Sequence, residues 1–182
     1  MKNIAFLLLI AFAFVSCKSP EARKPISYKS GSFIDQSVER NKLLNQKEQA
    51  FIEELMAANP EHNYLTSESG FWYYYNTKVE NDSLITPDFG DIISFNYNIS
   101  SLDGQVIYSE NELKTQEYTM DQEEIFTGLR EGLKLMKAGE TVTFLFPSQK
   151  AFGYYGDENK IGTNVPLMCK VTVNSIENNQ TN

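Results

Sequence analysis

The sequence has few of the residues on which most catalytic chemistry depends. It contains one histidine, two cysteines and one tryptophan among 182 residues. It also lacks a Gly-x-x-x-x-Gly-Lys phosphate loop, a Gly-x-Gly-x-x-Gly dinucleotide turn and a His-Glu-x-x-His zinc motif. A Ser-His-Asp triad would depend on His62, which lies in the polar, turn-like segment 60–63, where a solvated surface histidine is expected. We therefore expect no metal and no cofactor.

Positive charge is also scarce. Sixteen Lys and Arg residues face twenty-four Asp and Glu residues, which gives a net charge of −8. Proteins that bind nucleic acid neutralise its phosphates with Lys and Arg, so nucleic acid is not an expected partner. By contrast, hydrophobic residues make up 41% of the chain, with ten Tyr and twelve Phe. This composition is typical of a folded chain, and the length fits one ordinary domain with an appendage.

The amino terminus has the pattern of a secretory signal. A short, positively charged start precedes an apolar run over residues 4–15. This run is too short to span a bilayer, which requires about 20 apolar residues. Residues 14–17 are similar to the lipobox of bacterial lipoproteins, in which the cysteine is acylated. We predict a signal peptide over 1–16, lipidation including palmitate at Cys17 and a tether over 17–32. The alternative is a plain secreted protein. Several acyl chains on one cysteine would hold the protein stably at a membrane.

Residues 33–59 have the spacing of an amphipathic helix. Apolar side chains recur at close to helical intervals until the pattern stops at Asn59 and Pro60. Such a helix either packs on its own domain or makes a dimer or partner contact, and the sequence leaves both open. A scaffold lipoprotein in which this helix carries the function is a further alternative.

Residues 60–182 have the pattern of one α+β domain. Segments with strand chemistry alternate with turn residues, a hairpin signal lies at 102–105, and one helix is predicted over 122–136. The predicted strands are 70–75, 92–99, 141–146 and 167–176. Cys169 lies in the last of them and has no disulfide partner if Cys17 is lipidated. It is predicted to be a small core residue, since nothing near it in sequence would activate a catalytic thiol.

Six segments of this domain, in order, resemble the FKBP family of peptidyl-prolyl isomerases. They are similar to the family's Ser-Gly-Leu-x-Tyr opening, Gly-Asp turn, Val-His-Tyr-Thr strand, Asp-Gly-x-x-Phe-Asp-Ser hairpin, Val-Ile-x-Gly-Trp-x-Glu-Gly-Leu helix and Ala-Tyr-Gly turn. In this sequence they are residues 69–73, 89–91, 95–98, 103–109, 124–133 and 151–153. The signal, the helix and the aromatic strand look especially like the FKBP-type lipoproteins associated with gliding motility in Bacteroidetes. The resemblance implies a curved antiparallel sheet wrapped around one short helix, preceded here by the amphipathic helix.

The resemblance also implies an apolar proline pocket between the sheet and the helix. Its catalytic positions fall on Tyr97, which would line the pocket, on Phe126, whose backbone N–H would bond a substrate carbonyl, and on Phe152. The remaining substrate-binding positions would be Ile107, Tyr108, Ile125, Leu129, Ile161 and Cys169. The alternative is that these residues are ordinary core of a small barrel.

Several of these positions depart from the family pattern. Leu129 stands where the family has Trp, Cys169 and Ile107 where it has Phe, Tyr108 where it has Asp, and Phe152 where it has a Tyr whose hydroxyl bonds the ligand. Each lost ring removes contacts worth on the order of 1–3 kcal/mol. We therefore expect weak isomerase activity and weak binding of macrolide inhibitors.

The expected function is a membrane-tethered isomerase that acts on proline-containing polypeptides and assists the folding or assembly of envelope proteins, those of gliding motility among them. The alternative is a non-catalytic chaperone or binding module. Because no dense acidic run follows Cys17, we expect a lipid-anchored protein of the cell envelope that faces the periplasm. Rotation about an X-Pro bond needs no nucleophile, so the scarcity of histidine and cysteine in this sequence is consistent with an isomerase.

Overall fold

The computed structural model of the chain describes residues 30–81 and 83–178. The chain divides into two compact units, Met1–Ser37 and Val38–Asn182. The first is described only over 30–37, where a helix begins, so the predicted signal peptide and Cys17 lie outside the described residues. Within the described residues, none of the helices is both long and apolar enough to cross a membrane.

The elements follow one another in the order expected for an α+β domain. The helices are α1 (Ser30–Ala58), α2 (Glu110–Leu113) and α3 (Thr127–Leu133), with a 3₁₀ helix at Ser148–Lys150. The strands are β1 (Leu65–Thr66), β2 (Trp72–Thr77), β3 (Ile92–Ser101), β4 (Val106–Tyr108), β5 (Gln116–Thr119), β6 (Thr141–Phe146) and β7 (Leu167–Glu177). Over the described residues they form one antiparallel sheet in the order β1-β2-β6-β7-β3-β4, with β5 also paired to β3.

Alternation along the central strands creates the core face of the sheet. In β3, Phe95 and Ile99 point inward and are fully or almost fully buried. Ile99 is paired with Cys169 of β7, which is paired in turn with Phe144 of β6. Since side chains on one face of a strand recur every second residue, these residues lie in one row across the three strands. Together they form the floor of the main hydrophobic core.

Helix α3 packs on this face through its glycines. A Cβ atom on Gly132 would lie 2.9 Å from the ring of Phe144, so only hydrogen allows the helix to approach so closely. The predicted helix over 122–136 is wrong in its bounds, because only Thr127–Leu133 is helical. Before it, the hydroxyl of Tyr118 donates to the carbonyl of Glu123 at 3.2 Å and closes a turn. After it, tight i→i+3 bonds end the helix.

The outer face of the sheet is covered by the C-terminal part of α1. Ile52 is fully buried in a second cluster with Leu145 of β6, and Leu55 packs against it. Of the two alternatives for this helix, packing on its own domain therefore describes its C-terminal part. Val38 and Leu43, farther toward the N-terminus, remain 60% and 50% exposed. The helix begins at Ser30, three residues before the predicted start.

Candidate functional site

The nine pocket positions predicted from sequence come together in one cluster between the sheet and α3. Three of them are buried: Leu129 and Cys169 are 0% exposed and Ile161 is 3% exposed. The other six pack around this floor and are partly exposed, namely Tyr97, Ile107, Tyr108, Ile125, Phe126 and Phe152. The arrangement is a buried floor with an apolar rim that water reaches. A ligand at the rim would contact the six, because the floor residues offer almost no exposed surface.

Cys169 belongs to the floor and has no features of a reactive thiol. Burial raises its pKa far above the usual value, so the sulfur stays protonated. Since the thiolate is the nucleophile in cysteine chemistry, this residue contributes packing alone. The prediction that it is a small core residue is confirmed by its position between β3 and β6.

Aromatic rings form one side of the rim. The ring centroid of Phe126 lies 5.1 Å from that of Phe152, with the planes inclined at 44°. Phe126 also contacts Phe146 edge to face at 5.5 Å, which ties the rim to the core. Tyr97 lies on the sheet side of the cluster, where burial raises the pKa of its hydroxyl to about 12. At neutral pH this hydroxyl is therefore an uncharged donor at the apolar site.

Phe126 stands at the junction between an extended segment and α3. Its backbone has φ −62° and ψ 142°, and its carbonyl accepts the helical bond from Arg130 N–H at 3.2 Å. Its own N–H donates to no acceptor among the described residues. Helix starts leave such donors free. This N–H at an apolar rim is thus able to bond a carbonyl oxygen of a ligand.

A loop tied by Asp157 forms the opposite edge, and sequence reasoning missed it. The Asp157 carboxylate accepts hydrogen bonds from the Tyr108 hydroxyl, from Ile161 N–H at 2.7 Å and from Asn159 N–H at 3.0 Å. Burial raises the pKa of Asp157, but these hydrogen bonds outweigh it and hold the pKa below its usual value. The family's Asp is absent at position 108, yet a carboxylate reaches this edge from the loop. Gly156-Asp157 is a turn-type pair, and this pair is the sequence signal that could have located the loop.

The same loop closes very tightly. Gly156 has φ +70°, and a Cβ atom there would lie 2.2 Å from the carbonyl oxygen of Ile161. Lys160 places its ammonium 4.5 Å from the centre of the Tyr108 ring, a cation–π contact that adds to the tie. The loop therefore holds Ile161 against the cluster from above.

Comparison with known proteins shows what this domain is similar to. Residues 85–174 match the model of the family described as FKBP-type peptidyl-prolyl cis-trans isomerase. Residues 85–174 are therefore similar to an FKBP-type domain. The segment holds all nine pocket positions, and the sequence-based prediction of the fold is confirmed.

Named relatives and solved structures agree with the FKBP-type assignment. The chain is 29% identical over 126 residues to a probable FKBP-type isomerase, FkpA, of Neisseria meningitidis, covering 69% of this chain and 44% of that protein. It is 34% identical over 83 residues to FKBP10 of Mus musculus, covering 45% of this chain and 14% of that protein. The chain thus spans less than half the length of either relative.

Two crystal structures share the fold. A peptidyl-prolyl isomerase from Pseudomonas syringae superposes with a TM-score of 0.60 at 18% identity, covering 75% of this chain and 96% of that chain. FkpA from Escherichia coli superposes with a TM-score of 0.59 at 22% identity, covering 97% of this chain and 82% of that chain. At these identities the likeness establishes the FKBP-type fold alone.

Proposed function

We propose that the FKBP-type domain catalyses the cis–trans isomerisation of X-Pro bonds in polypeptides. The observation that carries the proposal is the partly exposed apolar rim with the unbonded N–H of Phe126 at its edge. A proline ring rests on Phe126, Phe152 and Tyr97, and the N–H binds a carbonyl of the same peptide. The match of residues 85–174 to the FKBP-type family supports the same activity.

The chemistry requires binding and no covalent step. Rotation about the amide bond has a barrier of about 18–20 kcal/mol because resonance is lost in the twisted state. A catalyst lowers it by binding the twisted amide better than either planar form. Apolar surroundings favour the twisted amide, since it is less polar than the planar one. The neutral hydroxyl of Tyr97 preserves that environment at physiological pH.

The complete burial of Leu129 and Cys169 supports the expectation of weak activity. A deep pocket encloses the proline ring, whereas here Leu129 and Cys169 leave no surface for it to contact. Contacts that are lost at the floor are worth on the order of 1–3 kcal/mol per ring. Macrolide inhibitors, which depend on enclosure, bind weakly for the same reason.

Turnover of short X-Pro peptides by the full chain tests the isomerase proposal. Substituting Phe126→Ala or Phe152→Ala removes rim surface worth about 1.5–3 kcal/mol, so kcat/KM falls at least about tenfold. Phe89→Ala is the matched control, because Phe89 is 68% exposed and outside the cluster. Circular dichroism checks that each variant is folded. Turnover by the unchanged protein at the uncatalysed rate contradicts the proposal.

The second candidate is a non-catalytic chaperone or binding module, which the buried floor favours. A surface that binds planar and twisted amides equally well gives affinity without acceleration. Aggregation of a refolding client, measured beside peptide turnover with Tyr97→Ala and Phe152→Ala, separates the two candidates. Protection that is lost in these variants, with no turnover in any protein, identifies a binding module.

The cellular setting is also proposed. A lipid on Cys17 would anchor the protein in the cell envelope facing the periplasm, where it assists the folding or assembly of envelope proteins. The lipobox-like segment at 14–17 supports this. The resemblance of the aromatic strand to gliding-motility lipoproteins supports gliding components as clients. The anchor is tested by labelling with palmitate, which should be incorporated into the unchanged protein and not into Cys17→Ser. The client is tested by deleting the whole protein from the cell, which should abolish gliding.

A dimer through residues 33–59 completes the proposal. Val38, Leu43 and Phe51 expose 60%, 50% and 48% of their surface along α1, and large apolar side chains exposed to water support association. Sedimentation of the full chain and of Val38→Glu tests it. A dimer that becomes monomeric in the variant supports it, and a monomer at all concentrations contradicts it.

A further inference from the structure

A second cleft lies next to the loop that carries Phe152. Its volume is about 450 Å³. One wall belongs to α1 and presents the amides of Asn41 and Asn45, and the other belongs to the loops after β6 and before β7. The loop side presents Gln149, Tyr154, Tyr155 and Asn164.

The helix wall changes character along one face of α1. Near its C-terminal end this face carries Ile52 and Leu55, which pack on the sheet. About two and three turns before Ile52 the same face carries Asn45 and Asn41, and there the cleft opens instead of a packed interface. Carboxamides on the face of a helix that meets its own domain are suited to a polar occupant.

Hydrogen bonds fix both walls. The buried carboxylate of Glu48 accepts from the N–H and hydroxyl of Ser148 at 2.8 and 2.7 Å, joining α1 to the 3₁₀ helix. Asn45 donates to Gln149 at 3.2 Å near the opening. The loop backbone is pinned as well, because Gly153 N–H donates to the Ser148 carbonyl at 2.8 Å. The cleft is therefore formed before any ligand arrives.

Two tyrosines stand on this fixed loop with most of their surface in water. Tyr154 is 69% and Tyr155 is 85% exposed, and their rings meet edge to face at 5.6 Å. Aromatic rings so exposed contribute little to the fold, and Tyr is enriched in binding surfaces because it offers a large contact area at low entropic cost.

We propose that this cleft binds an extended segment of the client polypeptide that flanks the proline held at the rim. Carboxamides match the donors and acceptors of a peptide main chain, and the tyrosines cover its side chains. Arg40 lines the cleft and, among the described residues, has no carboxylate within 4.0 Å, so its guanidinium is available to a carbonyl or carboxylate of the client.

Adjacency connects the two sites. Gly153 lines the cleft and directly follows Phe152 of the rim, and an extended chain advances about 3.3–3.6 Å per residue. In the proposal, a few residues of extended chain link the proline at the rim to the segment in the cleft. This connection rests on the proposed isomerase function. Binding at two sites on one chain raises the affinity for long clients through effective concentration, and short X-Pro peptides gain nothing from it.

Fluorescence anisotropy with a labelled, unstructured, proline-free peptide tests the cleft on the full chain. The double variant Asn45→Ala, Tyr155→Ala weakens binding at least about fivefold, which corresponds to about 1 kcal/mol. Turnover of short X-Pro peptides stays unchanged in that variant. The control pair is Asn63→Ala, Phe89→Ala, whose residues are exposed away from the cleft.

The outcomes separate the two proposals. Equal peptide affinity in the double variant and the unchanged protein overturns the cleft proposal, whatever the turnover. Binding of a neutral oligosaccharide that depends on Asn45 and Tyr155, without peptide binding, also overturns it. Weakened peptide binding in the double variant, with no turnover of short peptides by any protein, supports the cleft and contradicts the isomerase proposal.

Discussion

The carboxylate of Glu48 in α1 and the backbone N–H of Ser148 after β6 lie 2.8 Å apart, although one hundred residues separate them in the chain. Glu48 is only 6% exposed. Buried carboxylates are costly unless they are fully hydrogen-bonded, and Ser148 supplies two donors to this one. The pair therefore joins α1 to the 3₁₀ helix after β6 through directional hydrogen bonds, which the apolar cluster beside it does not provide.

Replacing Glu48 tests this connection. Glu48→Ala leaves the Ser148 N–H buried without an acceptor and lowers the free energy of unfolding by about 1.5–3 kcal/mol. Glu48→Gln keeps one acceptor oxygen and costs less. Urea unfolding measures both, with Glu54→Ala, an exposed position on the same helix, as the control. An effect of Glu48→Ala no larger than that of the control contradicts the prediction.

Adding a methyl group at Gly128 tests how closely α3 packs against Phe146 and Lys150. The added Cβ would lie 2.6 Å from the Lys150 carbonyl oxygen and 2.6 Å from the Phe146 ring. Overpacking costs about 1–3 kcal/mol, which exceeds the gain of about 1 kcal/mol or less in helix propensity. Gly128→Ala therefore unfolds at lower urea, while Gly162→Ala, whose Cβ would meet nothing closer than 3.9 Å, does not. Equal urea midpoints for the two variants contradict this close packing.

Removing the Asp157 carboxylate frees the loop above the cluster. Asp157→Ala removes the acceptor for Ile161 N–H and the partner of the Tyr108 hydroxyl. Hydrogen exchange at Ile161 N–H becomes faster, measured by NMR. Glu158→Gln is the control, because it neutralises a neighbouring carboxylate that has no hydrogen-bond partner in the part of the chain that the structure describes.

The Asp157 tie also has a defined pH dependence. Because the pKa of Asp157 is lower in the folded protein, its contribution to stability is complete above the ordinary value near 3.8. That contribution is lost as the pH falls through the lower folded value. The difference in unfolding free energy between the unchanged protein and Asp157→Ala therefore shrinks in acid. A difference that stays constant down to pH 2 would count against the tie.

Tyr97 predicts a loss of stability in alkali. Its pKa is raised to about 12 in the folded protein from an ordinary value of 10.0, so between these two values the unfolded chain releases a proton that the folded chain retains. Stability therefore falls as the pH rises from 10 to 12. Tyr97→Phe makes that fall less steep, and Tyr154→Phe, at an exposed ring, leaves it unchanged. Urea unfolding across this range decides the matter, and identical slopes for both variants contradict the prediction.

Patterns within single segments predicted most of the fold. Strand-type patterns predicted β3, β6 and β7 almost to the residue, and the turn residues at 102–105 correctly placed the hairpin, where Ser101 N–H donates to the Gln105 carbonyl. Prediction was wrong for the bounds of α3, because the bonds of the Tyr118–Glu123 turn are made by side chains and leave no periodic signal. The short strand β5 was missed for lack of apolar alternation.

The candidate site, like the fold, could be predicted from the sequence only in part. The resemblance placed nine residues that the structure brings together, but it gave no measure of depth, and the complete burial of Leu129 and Cys169 comes from packing by distant elements. The tie from Asp157 to Tyr108 spans 49 residues, and the bond from Glu48 to Ser148 spans 100. Contacts of such sequence separation depend on the completed fold, so no local pattern reveals them.

The tight closure at Gly156 has a consequence for how a client is received. A backbone that allows no Cβ at that position, together with a carboxylate that gathers three donors, leaves the segment up to Ile161 little freedom to lose. A client peptide that docks beneath it, as proposed, would avoid the entropic penalty of ordering a loop, which otherwise weakens association by about 0.5–1.5 kcal/mol for each side chain immobilised. Replacing Gly156 by a larger residue would reimpose that penalty without altering any group that contacts the peptide.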